Sequence, residues 1–300
     1  MTFRQAKSRL RTLVAMQLKK RRWLIPAVAI LGFAATSVAV LIPAEKGLTL
    51  LAAIWLFATA YLWGFSAHAF RSPRWPPTGH FHRREYAAVW DTLANSAETG
   101  AVVASGKQYE EDVRESAAPT IRNLDEFVGV GAQDDVLEIG CGVGRIGREL
   151  APHCRFWTGS DISKNMLTYA TERLAHLNNV RLQQLHGGGL GEFTDGSFDV
   201  VYCTNMLAHL DEIDRWRYVQ EAFRVLRSEG RLFLDSIDIE SDEGWAAFVG
   251  GPSPDLESER PPFMPRASTV AELENYAKRA GFGQIQSHRR PPLVIMTARK

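Results

Sequence analysis

VLEIGCGVGRIGREL, residues 136–150, decides how the rest of the chain is read. Its glycines satisfy two different cofactor loops. Gly142, Gly144 and Gly147 fit the G-x-G-x-x-G spacing of a dinucleotide-binding turn. Asp161, 19 residues beyond Gly142, stands close to where such a turn places a ribose-binding acid. Gly140, Gly142 and Gly144, entered from the acid Glu138, fit a second loop. In both readings an apolar strand ends in glycines. These let the backbone turn sharply and approach a ligand where a side chain would collide.

Outward from this stretch the chain alternates between strand and helix. DVLEIG (135–140) is followed by helical VGRIGREL, and RFWTGSD (155–161) by SKNMLTYATERLAHL. In the latter, Met166, Leu167, Ala170, Leu174 and Leu177 recur at helical spacing. VRLQQL (180–185), FDVVYC (198–203) and RLFLDSI (231–237) continue the strands. STVAELENYAKRAGF reads as a late helix, with GQIQSHR and LVIMTAR as closing strands. This alternation predicts a doubly wound α/β sheet, with ligands at the carboxyl ends of its strands.

Four blocks in order, VLEIGCGVGRI, GSDISKNML, DGSFDVVYCTNMLAHL and EAFRVLRSEGRLFL, resemble the class I S-adenosylmethionine-dependent methyltransferases. The resemblance covers roughly residues 107–300 and selects the earlier glycine set. It implies a Rossmann-like methyltransferase sheet with S-adenosyl-L-methionine as cofactor. Glu138, Gly140, Gly142 and Gly144 are then expected to border the methionyl and ribose portions, with Glu138 near the amino group. A helix N-terminus is expected after this loop, its free N–H groups and partial positive charge facing the donor carboxylate. Asp161 is expected to accept both ribose hydroxyls. Gly147 becomes a small residue where the helix packs closely on the sheet.

The third strand departs from the pattern. Relatives often carry an acid just after it for the adenine amino group; here the stretch is LHGGGLGEF (185–193). Backbone groups of Gly188, Gly189 and Leu190 are the expected adenine contacts, against the alternative of a simple flexible turn. The resemblance puts Asn205 and Met206 beside the methionyl end and the acceptor. His209 follows within one turn, where a neutral imidazole suits proton removal; the alternative is a packed histidine with no chemical role. His186, Asp235, Asp238 and Tyr276 are further polar candidates. Residues 241–266 interrupt the alternation, with Trp245, Phe248, Phe263 and Met264 candidates for an acceptor pocket, a bilayer contact or a packed loop.

The amino-terminal part has a different composition. Residues 24–42 run 19 positions without a charge, and residues 48–65 run 18. As helices these reach roughly 27–28 Å, enough to cross a hydrocarbon core of about 30 Å. The polar turn at 43–47 predicts a transmembrane hairpin, against the alternatives of a cleaved signal peptide or a hairpin buried in a soluble domain. Eight basic residues precede it and Arg71, Arg74, Arg83 and Arg84 follow, which directs both termini to the cytoplasmic side of an inner or plasma membrane. Four segments follow: a basic segment (1–22), the hairpin (23–66), a juxtamembrane linker and helix (67–106) and the methyltransferase domain (107–300).

Overall charge is near neutral, with 35 Lys and Arg against 34 Asp and Glu. The domain shows no basic aromatic stripe, so nucleic acid is not the expected partner. Cys141, Cys154 and Cys203 are widely spaced and show no metal-ligand pattern, so no metal is expected. The reading is a membrane-anchored methyltransferase. The bilayer is its expected partner, and its acceptor is a hydroxyl of a lipid, a lipid-linked glycan or a polysaccharide. A small-molecule or protein N- or O-methyltransferase, an oxidoreductase on the later glycine set and a non-catalytic scaffold are the alternatives.

Overall fold

A computed structural model describes residues 85–250 and 263–300. The predicted hairpin, the basic segment and residues 251–262 lie outside the described residues. Among the described residues no helix is long and apolar enough to cross a membrane.

Four helices come first: α1 (Tyr86–Leu93), α2 (Ala97–Ser105), α3 (Glu110–Glu115) and α4 (Ala118–Phe127). The alternating series follows: β1 (Asp135–Ile139), α5 (Arg145–Leu150), β2 (Phe156–Asp161), α6 (Lys164–Leu174), β3 (Val180–Gln184) and β4 (Phe198–Cys203). Next are α7 (Glu212–Val225), β5 (Leu226–Asp238), α8 (Asp242–Gly250), β6 (Ala267–Ser268), α9 (Val270–Ala280), β7 (Gly283–Arg290) and β8 (Leu293–Arg299). The sheet runs β3-β2-β1-β4-β5-β8-β7, with β6 paired to β5. The pairs from β3 to β5 are parallel, whereas β8 is antiparallel to both β5 and β7. Winding reverses between β1 and β4, which opens a crevice at their carboxyl ends.

Continuous apolar strands result from burial on both faces. Leu137 and Ile139 of β1, Val201 and Cys203 of β4, and Leu232 and Leu234 of β5 point into one apolar layer. Val136, Val200, Tyr202 and Phe233 point into the other, with Trp157 and Ile146. Full burial of such a side chain contributes about 1.5–3 kcal/mol. Helix starts are set by local caps. The Ser163 hydroxyl accepts from Met166 N at 3.1 Å, the Asp211 carboxylate from Asp214 N at 3.0 Å and the Thr269 hydroxyl from Glu272 N at 3.1 Å. Helix α6 buries Met166, Leu167, Ala170 and Leu174, the stripe its spacing predicts.

Three local features differ from the sequence reading. Helices α1 and α2, assigned to the linker segment, lie against α6 as part of the folded domain. Helix α5 has only six residues, because Pro152 cannot continue it and the chain tightens into a 3-10 turn at Ala151–His153. Strand β5 starts five residues earlier than its apolar run, at Leu226, which pairs with Phe198.

Candidate functional site

The loop leaving β1 adopts left-handed backbone at each expected position, with φ of +75° at Gly140, +53° at Gly142 and +76° at Gly144. Only glycine holds these angles cheaply. A Cβ at Gly140 would also stand 2.7 Å from Met206 Cγ. Gly147 serves packing instead. A Cβ there would lie 2.3 Å from Trp157 Cζ2, so its hydrogen lets α5 seat against the β2 indole.

Two acids flank this loop. Glu138 is 2% exposed at the end of β1. Tyr202 Oη donates to its Oε2 at 2.6 Å, and Trp157 Nε1 donates to Tyr202 Oη at 2.9 Å. Burial pushes the Glu138 carboxyl up to about 8, opposed by the Tyr202 hydroxyl and the Arg145 guanidinium. Asp161, at the end of β2, accepts from Gly142 N and from Ser163 N, both at 2.8 Å. Burial raises its carboxyl as well, against those N–H donors. The cap of α6 is Ser163, so Asp161 ties the glycine loop to the β2 exit.

A cavity of about 490 Å³ occupies the crevice. Glu138, Gly140, Gly142, Asp161, Asn205, Met206 and His209 all line it, which brings most of the sequence-predicted site together. At the β3 end the wall is His186, Gly187 and Gly188. Leu190 is fully buried in the core, and its N–H donates to Glu221 Oε2 at 3.2 Å. Gly189 packs toward the Glu221 side chain. Neither Gly189 nor Leu190 is on the cavity wall, because the loop turns inward to fill the apolar layer beneath it.

The other candidates separate. His186 is exposed, and its Nδ1 lies 3.3 Å from Glu192 Oε1. Tyr276 donates to Glu272 Oε1 at 3.0 Å, in a cluster around the buried Arg215 and away from the cavity. Asp238 is fully buried beside Arg289 and accepts from Glu240 N at 3.0 Å. His209 packs edge-on against Trp90, ring centroids 4.9 Å apart. Trp245 is exposed on α8, and Met264 is buried.

Several lining residues carry no sequence signal. Trp90, Val103 and Ala104 roof the cavity from α1 and α2. Asp91 fastens that roof: its Oδ1 accepts from Ser163 Oγ at 2.6 Å and from Asn165 N at 3.1 Å. Arg145, 7% exposed, opens α5 and donates from Nη1 to Ser116 O at 3.0 Å. A six-residue helix offers little macrodipole, so this guanidinium is the positive group that the loop presents. A Ser96–Thr99 capping box and the left-handed Gly106 would have located α2 as a helix. Neither signal points to a cavity.

A family described as "Methyltransferase domain" matches residues 136–230. Thiol S-methyltransferase TMT1B of Homo sapiens is 30% identical over 170 residues, 55% of this chain and 67% of that protein. Thiol S-methyltransferase TMT1A of Homo sapiens is 31% identical over 129 residues, 42% of this chain and 52% of that protein. The chain spans about half the length of several curated relatives it matches. A solved phosphoethanolamine N-methyltransferase 2 of Haemonchus contortus, complexed with S-adenosylhomocysteine, gives a TM-score of 0.50 at 16% identity. It covers 68% of this chain and 60% of that one, a likeness of fold.

Proposed function

The chain belongs to the S-adenosylmethionine-dependent methyltransferase family, and from that premise we propose that its large cavity binds S-adenosylmethionine for methyl transfer. One observation carries this reading: the Gly140, Gly142 and Gly144 turns set Glu138 and Asp161 side by side on the wall of a ligand-sized cavity. Asp161 suits the ribose hydroxyls, and Glu138 suits the cationic amino end. Since the sulfonium already activates the methyl group, the protein has mainly to align an acceptor and exclude water.

Calorimetry with S-adenosylhomocysteine tests the reading. Asp161→Ala should weaken binding about 10- to 100-fold, the range for a hydrogen bond to a charged group. An unchanged affinity in a variant that still melts cooperatively refutes the assignment.

The finer reading is a membrane-anchored enzyme acting on a hydroxyl of a lipid, lipid-linked glycan or polysaccharide. It rests on the uncharged runs at 24–42 and 48–65, since an anchor concentrates an enzyme near membrane-resident acceptors. A thiol acceptor is the second reading, favoured by the two human relatives named thiol S-methyltransferase. Methyl-labelled S-adenosylmethionine supplied with membrane extract, followed by fractionation, separates the two. Label in lipid or glycan supports the first, and label confined to small thiols supports the second. A cysteine placed in the 43–47 turn should react with impermeant reagents from outside intact cells; protection there overturns the hairpin.

A further inference from the structure

A second cavity of about 320 Å³ adjoins the first. The two share Val103, Ala104, Arg145, Asn205 and His209, so they lie side by side at the ligand edge of the sheet. The size is at the low end for small-molecule sites, about 300–1,000 Å³. Ser116, Asp235 and Ser236 give it polar surface, and Pro265 and Leu293 give it apolar surface.

Asp235 is the acid of this chamber. It stands one residue beyond Leu234, the β5 partner of Cys203 at the end of β4, so its carboxyl lies at the ligand edge of the sheet. It is 3% exposed. Asn205 N donates to Oδ1 at 2.7 Å, and the left-handed turn at Asn205, φ +56°, accompanies that contact. One carboxylate oxygen is thereby anchored while the residue lines the cavity.

We propose that the smaller cavity is the acceptor site, and that Asp235 takes the proton of an acceptor hydroxyl or thiol during methyl transfer. The proposal rests on the methyl-donor reading above. The acceptor oxygen or sulfur bonds to the methyl carbon, and the carbon–sulfur bond breaks with its electron pair going to sulfur. The sulfonium thereby becomes a thioether, and the acceptor proton goes to Asp235, which later returns it to solvent. Burial holds the carboxyl at about 7, opposed by Asn205 N–H and Arg145, so both protonation states are accessible at neutral pH. The titratable and charged groups around it are Arg145 on α5, Cys203 on β4 and His209 on a second 3-10 turn, Leu207–His209; its β8 partner is Ile295.

The test uses the full chain, methyl-labelled S-adenosylmethionine and two small acceptors, 2-mercaptoethanol and phenol. Phenol titrates near 10, so a rise in its methylation rate around neutral pH belongs to the protein. Asp235→Asn keeps an oxygen for Asn205 N–H. It should bind S-adenosylhomocysteine within twofold of wild type, yet lose about 10²- to 10³-fold in kcat and lose the neutral limb of the pH profile. Asp235→Glu should recover part of the rate. Asp235→Asn turning over within threefold of wild type overturns the proposal. So does a wild-type protein that binds S-adenosylhomocysteine but methylates neither probe. Failure to bind S-adenosylhomocysteine at all instead overturns the donor reading on which the proposal stands.

Discussion

If Glu138 receives the donor's amino group as proposed, donor binding should release a proton. In the empty site burial holds its carboxyl at about 8, so at pH 7 about nine-tenths of molecules carry it neutral. A donor that brings its ammonium group to this carboxyl selects the ionised form. Ionising it at pH 7 costs one pKa unit, about 1.4 kcal/mol, which subtracts about tenfold from the affinity reached above pH 8. Donor affinity should therefore rise about tenfold from pH 6 to pH 7. Calorimetry in buffers of different ionisation heat should show about 0.9 proton released per donor bound at pH 7. This window lies below the range where a free α-amino group titrates, so the donor itself stays charged. Glu138→Gln keeps a partner for Tyr202 Oη but removes the titration, which separates Glu138 from Asp161 and Asp235, whose carboxyls burial also raises. Affinity that stays flat between pH 6 and 7, with heats independent of buffer, would refute the reasoning.

Three further outcomes follow from the packing. The folded-state Glu138 carboxyl is raised from 4.5 to about 8, so its stabilising contribution is complete below about 4.5 and lost as pH rises through about 8. The empty protein should thus melt at lower temperature at pH 8 than at pH 6, and Glu138→Gln should narrow that gap; an equal gap in the variant counts against it. Gly147→Ala drives a methyl group into Trp157 and should destabilise by about 1–3 kcal/mol in denaturant titrations. A wild-type midpoint would show that α5 shifts freely. Arg215, 1% exposed, donates to Leu207 O at 2.9 Å, Ser268 Oγ at 2.8 Å and Glu272 Oε1 at 2.9 Å. Arg215→Ala should cost about 3–5 kcal/mol, and a loss below 1 kcal/mol in thermal melts would contradict that bridging role.

Composition and spacing determined the parts of this protein that rest on short-range physics. Apolar runs fixed the parallel strands because both faces of each are covered, and the Met166, Leu167, Ala170, Leu174 stripe fixed α6. Glycines at positive φ fixed the loop after β1, since few other residues hold that backbone, and the strand-end acids Glu138 and Asp161 followed from it. The later glycine, Gly147, separated from the ligand set once Trp157 was found above it. What the sequence could not decide depends on contacts between distant segments. Leu190 left the predicted adenine wall because the apolar layer needed it, and α1 and α2 left the predicted linker because Asp91 meets Ser163 and Asn165, more than seventy residues away. Arg145 and Asp235, ninety positions apart, line one cavity only because parallel winding brings the ends of β4 and β5 beside the loop from β1. Local pattern records which residues turn, pair or bury themselves; which of them face one another is set by the order of the strands.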